Sequence, residues 1–234
     1  MSDVILGVTD AAGAGARVWA VRRAEALGLP LRELLIAPTR DDADTAAAAT
    51  TDAEILVLPA EHGHSYHALI AHAHSPVAVV PDPRGETGAD DAPRSGVLVG
   101  VDPSDVSARA LAFAAIEAER AGEPLIALAA WEPVSVGTEP GLDLWTGPMP
   151  VDLTEATAGM LERMLEPVRS RHPQLEVRTR IDVGDASALI EEGSRSAVLT
   201  VVGSHGRTGL SRLLLGSVSE HVAAHVGSPT VIVR

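Results

Sequence analysis

The sequence predicts an α/β protein built on buried parallel β-sheet. The 234-residue chain is 46% hydrophobic but only 2% aromatic, so its core must be built from Val, Leu, Ile and Ala. Apolar runs of strand length lack polar alternation, which is typical of strands buried on both faces. Segments with helical periodicity lie between these runs, and this alternation favours right-handed βαβ units.

Strands and helices follow one another along most of the chain. In chain order, the predicted strands are Val4–Val8, Leu34–Ala37, Ile55–Leu58, Val77–Val80, Val97–Val101, Leu125–Ala130, Val177–Val183, Val198–Val202 and Thr230–Val233, because each is a short, mainly apolar run. The predicted helices are Ala14–Leu27, Val106–Ala121, Leu153–Arg171, Ala186–Arg195 and Ser217–Val226, because each repeats apolar residues at helical spacing.

The composition excludes several functional classes. Without cysteine, the chain has no disulfide framework, thiolate nucleophile or Cys-ligated zinc. All 18 basic residues are arginine, which removes phosphate-loop and Schiff-base lysines. With 32 acidic residues the net charge is −14, so we expect no nucleic-acid partner. The amino terminus lacks a basic n-region, and no run approaches the ~20 apolar residues of a membrane span, so we expect a cytoplasmic protein without a membrane partner.

An internal repeat divides the chain into two copies. Val4–Asp10 matches Val97–Pro103, and Ile70–Val80 matches Val222–Val233 through a shared Ser-Pro. The stretch between the copies is rich in Pro, Gly and charge and nearly free of apolar residues, which is typical of a linker. The predicted segments are a degenerate first domain over residues 1–81, a linker over residues 82–95 and a second domain over residues 96–234.

The first copy is the shorter one in two places. From Gly7 to Ala60 the chain spans 53 residues, whereas from Gly100 to Gly203 it spans 103, a difference of about one strand and one helix. The first copy also lacks ten residues equivalent to Arg207–Gly216. The first domain is therefore expected to be a trimmed version of the second.

A glycine-rich loop follows the buried strand Val198–Val202. Gly203, Gly206, Gly216 and Ser217 stand in the spacing Gly-x2-Gly-x9-Gly-Ser. At the carboxyl end of a parallel strand such a loop lets backbone N–H groups approach an anion, and the next helix adds its positive dipole end. The spacing alone also fits ordinary turn and cap residues, and that alternative stays open.

Asp102 ends a strand at the same predicted edge of the sheet. Its carboxylate could accept hydrogen bonds from ribose hydroxyls or hold a metal, and the alternative is an N-cap for the helix that follows. Ser104 and Ser107 are expected to be caps. Arg207 and Arg212 either neutralise phosphate charge or are solvated loop residues.

A histidine-rich stretch lies in the first copy. Its members are His62, His64, His67, His72 and His74. Such tracts can bind zinc, copper or nickel, but solvated histidines are the favoured interpretation because only Glu61 adds a further ligand nearby. We therefore expect no metal site, and no catalytic residue is assigned.

From Gly96 to Arg234, apart from the insertion Val134–Pro150, the sequence closely resembles the universal stress protein family. In that family the Gly-x2-Gly-x9-Gly-Ser motif marks members that bind ATP. The resemblance implies two flavodoxin-like (Rossmann-like, adenine nucleotide alpha hydrolase-like) domains, with ATP as the cofactor and Mg²⁺ as its optional companion. It implies that Asp102 contacts adenosine, that Ala130 lines the adenine pocket, that Gly203 and Gly206 approach ribose and phosphates, and that Gly216, Ser217 and Val218 bind phosphate. We interpret Trp131, beside Ala130, as a residue of the core or of the pocket wall.

The first copy resembles the family only weakly. Thr9 stands where the aspartate is expected, and the deletion removes the phosphate loop, so we expect no nucleotide there. The chain is thus predicted to be an ATP-binding protein of nucleotide sensing or stress-linked regulation. Two alternatives remain, a slow ATPase or an enzyme that phosphorylates its own Ser217 or Ser219, and an interaction scaffold that binds no nucleotide.

Each copy ends in an apolar strand, Pro76–Val80 in the first and Pro229–Val233 in the second. Standing alone, each strand would be the unpaired edge of its sheet, which favours pairing. We expect the two to pair within one chain as a pseudo-dimer, and a homodimer in which strands of two chains meet is the alternative.

Overall fold

A computed structural model of the chain describes residues 2–8, 13–36, 44, 47–60, 66–82, 93–136, 149–206, 215–225 and 227–234. The helices are α1 (Ala14–Leu27), α2 (His67–His72), α3 (Asp105–Ala121), α4 (Thr154–Arg171), α5 (Ala186–Ser194) and α6 (Ser217–Ala224). The strands are β1 (Val4–Val8), β2 (Leu31–Leu35), β3 (Ile55–Pro59), β4 (Val77–Val80), β5 (Val97–Gly100), β6 (Leu125–Trp131), β7 (Val134–Val136), β8 (Met149–Val151), β9 (Val177–Val183), β10 (Leu199–Gly203) and β11 (Thr230–Val233). Of the helices in these ranges, none has the length and apolar character needed to cross a membrane.

Nine strands form one sheet in the order β2-β1-β3-β4-β11-β10-β5-β6-β9. Every neighbouring pair is parallel except β4 and β11, which run antiparallel with Val231 opposite Ala78. The α/β class with a parallel sheet is therefore confirmed. The apolar strands β4 and β11 pair with each other within the chain, as the sequence predicts.

Helices cover both faces of the sheet because successive strand residues point to opposite sides. In β5, Val97 and Val99 join the core on the side of α1, α3 and α4. Leu98, between them, joins the core on the other side with Ile190 of α5 and Val222 of α6. Burial of each large aliphatic side chain contributes about 1.5–3 kcal/mol, so both helix layers are held to the sheet mainly by the hydrophobic effect.

Three parts of the fold differ from the elements predicted from the sequence. β2 begins at Leu31 rather than Leu34, because it is an edge strand with exposed side chains and an apolar run marks only buried strands. α2 was not predicted, since its six residues are too few to show a helical period. The insertion Val134–Pro150, expected to be irregular, contains β7 and part of β8, which form a separate antiparallel pair.

A buried ion pair joins α1 to α3, and thus the two halves of the sheet. Arg23 and Glu117 form a hydrogen-bonded pair, and each residue is only 7% exposed. The rings of Trp19 and Phe113 each lie with their centroids 5.8 Å from the guanidinium carbon of Arg23. Arg120, one turn from Glu117, donates a second hydrogen bond to that carboxylate at 2.5 Å.

Candidate functional site

The carboxyl ends of β5, β6 and β10 open onto a cavity of about 730 Å³. From β5 the chain passes to β6 on one side, whereas β10 lies on the other side. Doubly wound sheets bind ligands at such a switch point, outside the carboxyl ends of the strands. The volume falls within the roughly 300–1,000 Å³ that is typical of small-molecule sites.

The seven residues that the family resemblance implies for nucleotide binding all line this one cavity. They are Asp102, Ala130, Gly203, Gly206, Gly216, Ser217 and Val218. They come together because the carboxyl ends of parallel strands meet at one edge, where β5 leads to Asp102, β6 contains Ala130, and β10 leads through the glycine loop to α6. Arg207 and Arg212 lie outside the described residues, as does Thr9 in the first copy.

The carboxylate of Asp102 is held in place by the turn that precedes α3. Its Oδ1 accepts hydrogen bonds from the backbone N–H of Ser104 at 3.0 Å and from the Ser104 hydroxyl at 2.5 Å. The N-cap of α3 is Ser104, whose Oγ accepts from the N–H of Ser107 at 3.1 Å. The alternative role of Asp102 as the N-cap of α3 is therefore wrong, because Ser104 occupies the N-cap position.

Two glycines of the loop allow close packing around the cavity. A Cβ atom at Gly206 would lie 2.5 Å from Oδ2 of Asp102, so the main chain rests directly against that carboxylate. A Cβ atom at Gly216 would lie 3.0 Å from Cα of His205. The N–H of Gly216 donates to the carbonyl of Ser204 at 2.7 Å, which positions the start of α6 beside the end of β10.

Several helices begin at the cavity. Ser107 in the first turn of α3, Ala186 at the start of α5 and Ser217 at the start of α6 all line it. The first N–H groups of a helix lack partners within the helix, and the helix dipole places its positive end there. This arrangement favours a ligand that carries negative charge.

Acidic side chains also line the cavity, and the described lining residues include no arginine. The carboxylates are those of Asp102, Glu132 and Asp185. The Ser187 hydroxyl and the N–H of Ala188 donate to Asp185 and hold the pKa of its carboxyl below the usual range, so it is ionised at neutral pH. An anionic ligand here needs an accompanying cation or the arginines of the loop.

Trp131 lines the cavity, as its interpretation as core or pocket wall predicts. Its indole Nε1 is buried and has no hydrogen-bond partner among the described residues. Because that nitrogen is not exposed to the cavity, the indole N–H is not counted among the groups that a ligand would contact.

One wall of the cavity could not be found from the sequence. Leu153, Ala156, Thr157 and Met160, at the start of α4, line it. They follow the insertion and belong to no motif, so only the packing of α4 beside β6 brings them to the site.

Comparison with known proteins identifies the family. The sequence model of the universal stress protein family matches residues 94–234, which is more than half of the chain. The chain belongs to this family.

Two relatives show how far the similarity extends. A universal stress protein of Mycolicibacterium smegmatis is 35% identical over 172 residues, which cover 74% of this chain and 55% of the relative. One of Mycobacterium tuberculosis is 41% identical over 168 residues, which cover 70% of this chain and 51% of the relative. The chain thus spans about half the length of the curated universal stress proteins it matches.

Solved structures share the fold over most of the chain. A universal stress protein from Archaeoglobus fulgidus superposes with a TM-score of 0.56 at 18% identity, covering 92% of this chain and 73% of its own. A protein of unknown function from Pseudomonas aeruginosa has a TM-score of 0.55 at 17% identity, covering 99% and 82%. At these identities the similarity supports the α/β fold alone.

In this universal stress protein the corresponding edge of the amino-terminal half is built differently. The N–H of Gly15, in the first turn of α1, donates to Oδ1 of Asp82 at 2.8 Å. A Cβ atom at Gly15 would lie 2.4 Å from the carbonyl oxygen of Pro81, so the chain that leaves β4 crosses directly over the start of α1. A carboxylate of the chain itself therefore meets the helix N-terminus.

Proposed function

We propose that this universal stress protein binds one adenine nucleotide, ATP, in the cavity of its carboxyl-terminal half and acts in nucleotide sensing or stress-linked regulation. The observation that carries the proposal is the convergence of Asp102, the complete glycine motif and Ala130 on a single cavity at the switch point of the sheet. The adjacent parallel strands β5 and β10 bring Asp102 and the glycine motif to the same space, although the two lie about a hundred residues apart in the chain.

The described groups suit the three parts of a nucleotide. The start of α6, at Ser217 and Val218, offers backbone N–H groups to phosphate oxygens, whereas the N–H of Gly216 already donates to Ser204. Asp102 has a carboxylate that can accept from ribose hydroxyls, and Ala130 leaves room for a planar base.

A companion Mg²⁺ fits the charges around the cavity. Asp102, Glu132 and Asp185 would repel bare phosphates, and a hard divalent cation bound to phosphate oxygens would offset that repulsion. Carboxylate oxygens are also ligands that Mg²⁺ prefers. Magnesium would supply charge neutralisation in this site.

We further propose that the chain is a tandem of two copies, the first trimmed and without nucleotide. The order β2-β1-β3-β4 repeats the order β6-β5-β10-β11, and β9 has no counterpart in it. Ser75-Pro76 precedes β4 as Ser228-Pro229 precedes β11, and both serines are buried. These correspondences support a first domain over residues 1–81 and a second over residues 96–234, joined by residues 82–95.

In the enzymatic alternative, the surroundings of Ser217 and Ser219 decide which of them could accept a phosphoryl group. Ser219 is 2% exposed and its hydroxyl donates to the carbonyl of Gly203, so it is not placed to accept a phosphoryl group. Ser217 is exposed at the cavity. Of the two residues considered for self-phosphorylation, Ser217 alone fits.

The nucleotide retained by purified protein tests the proposal. We would purify the chain without added nucleotide, denature it, and quantify released nucleotides by chromatography against protein concentration. One ATP per chain supports sensing, whereas ADP in its place indicates turnover. If no nucleotide is released and calorimetry detects no ATP binding, the proposed function is wrong and the scaffold alternative is favoured.

A further inference from the structure

Three potential metal ligands converge on one side of α5 and α6, outside the cavity. They are Glu191 of α5, His221 of α6 and His225, which directly follows α6, and their ligand atoms all lie within 4.8 Å of one another. We call them the α5–α6 cluster. Nε2 of His221 is 2.9 Å from Oε2 of Glu191, and the rings of the two histidines stack with centroids 4.3 Å apart. None of the three lines the nucleotide cavity described above.

The hydrogen bonds of the cluster prepare its atoms for a metal ion. Nδ1 of His225 lies 2.9 Å from the carbonyl oxygen of His221. A carbonyl only accepts, so Nδ1 must carry the hydrogen, and the lone pair of a neutral His225 ring is then on Nε2. Metal-bound histidines usually make this kind of hydrogen bond with their other ring nitrogen.

Glu191 is likewise oriented by its neighbours. Nη2 of Arg195 donates to Oε1 at 2.9 Å, which leaves Oε2 facing His221. One carboxylate oxygen and two imidazole rings thus lie around a common space. Because the carboxylate only accepts, Nε2 of His221 carries the hydrogen in this arrangement, and a metal ion bound through that nitrogen would displace the proton.

We propose that Glu191, His221 and His225 bind a divalent transition-metal ion of the zinc class that bridges α5 and α6. Imidazole and carboxylate ligands suit Zn²⁺, and three protein ligands with water in the fourth position complete a tetrahedral site. Zinc bonds of about 2.0–2.1 Å place ligand atoms roughly 3.3 Å apart, so the side chains must close from their present spread. His225 is exposed, so its side chain has room on the solvent side for that movement.

The amino-terminal half contains a natural control for this site. His72 makes the same bond from Nδ1 to the carbonyl of Ala68, at 2.8 Å, that His225 makes to His221. The residue one turn earlier is alanine rather than histidine, so of the two helices α2 and α6, the i, i+4 histidine pair occurs at α6 alone. The proposal predicts that the two otherwise equivalent histidines differ in their effect on metal binding.

A bound ion would connect two helices whose first residues line the cavity. α5 begins beside Asp185, and α6 begins at Ser217. Because the ligands lie on both helices, the ion would hold the two together even in a protein that binds no nucleotide. The metal site therefore stands independently of the proposed function.

Calorimetric titration of the full chain with ZnCl₂ tests the proposal. We expect the wild type and His72→Gln to bind Zn²⁺ alike, and His225→Gln to weaken one binding event at least about tenfold. Zn²⁺ should raise the Tm of the wild type and His72→Gln more than that of His225→Gln, since a ligand stabilises only the state that binds it.

A second variant guards against a folding defect. If His225→Gln loses its helical circular dichroism, Glu191→Gln replaces it, because the amide keeps the shape of the side chain and removes the anionic ligand. The proposal is overturned if the wild type binds no Zn²⁺. It is also overturned if the folded cluster variant binds Zn²⁺ as tightly as the wild type, which would assign the binding to other histidines.

Discussion

In both halves of this universal stress protein, a helix begins at the carboxyl edge of the parallel strands. The two helix N-termini face different surroundings. In the carboxyl-terminal half, the start of α6 and Asp102 face a cavity of about 730 Å³. In the amino-terminal half, the start of α1 meets Asp82, whose carboxylate accepts from Gly15 at 2.8 Å. A helix N-terminus favours an anion in both places, but in the first half the chain supplies it. The fold thus provides an anion-binding helix N-terminus in both halves, and the connecting segments decide whether the chain itself or a cavity faces it.

The walls of the two edges differ as well. α4 forms one side of the cavity through Thr157 and Met160. In the sequence, this helix lies between β6 and β9. Between β1 and β3 the described residues include α1 and β2 but no long helix corresponding to α4. In the part that the structure describes, the amino-terminal half thus has no counterpart to this wall.

The largest effect is expected from a substitution in the glycine loop of the carboxyl-terminal half. Gly216→Val places a branched side chain where Cβ alone would lie 3.0 Å from Cα of His205, so ATP binding should fall below detection while the protein stays folded. Isothermal titration should show one site in the wild type and none in the variant. Gly159→Ala, in α4, is the control and should bind as the wild type does.

Two sites per chain in the wild type would contradict the proposed difference between the halves. Unchanged affinity in a folded Gly216→Val protein would show that the start of α6 does not contact the ligand.

The connection between the halves can be tested through the buried ion pair. Glu117→Leu leaves Arg23 buried with Glu54 at 3.6 Å as the remaining partner, and should cost about 3–5 kcal/mol of unfolding free energy. Arg23→Met should cost less, because Glu117 keeps its hydrogen bond from Arg120. Urea unfolding followed by circular dichroism measures both, and an equal loss in the two variants would argue against this asymmetry.

Asp102 tests the ligand contact in the carboxyl-terminal half. Asp102→Ala should weaken ATP binding by about 1.5–3 kcal/mol, roughly 10- to 150-fold, through loss of a charge-assisted hydrogen bond. Ser104→Ala removes the cap of α3 and should cost about 1 kcal/mol of stability. Its loss of ATP affinity should be smaller than that of Asp102→Ala, because the backbone N–H of Ser104 still donates to the Asp102 carboxylate. Titration with ATP measures the affinity of both variants, and thermal melting measures their stability. If Asp102→Ala binds ATP as tightly as the wild type, Asp102 does not contact the ligand.

The smallest effect is expected in the amino-terminal half. Asp82→Ala removes the acceptor for Gly15 at the start of α1 and should lower the unfolding free energy by about 1 kcal/mol. It should not create a second nucleotide site, because the phosphate loop is still missing. A second ATP bound by the variant in calorimetry would show that Asp82 alone distinguishes the halves.

The strands, the main helices and the candidate ligand residues were accessible from the sequence because they depend on local properties. Apolar runs marked β1, β5 and β11, and the glycine spacing marked Gly203, Gly206 and Gly216 before their cavity was seen. β2 was misplaced and α2 was missed, since exposure and short length weaken the same signals.

What the sequence could not determine are the contacts between distant positions. Gly15 and Asp82 are separated by 67 residues, and Arg23 and Glu117 by 94. The α5–α6 cluster likewise joins Glu191 to a histidine 30 residues later. Periodicity reports which side of an element is buried but not which element covers it, and that choice follows from the strand order and the antiparallel pairing of β4 with β11. The tertiary structure alone therefore decided which helix N-terminus faces a carboxylate and which faces a cavity.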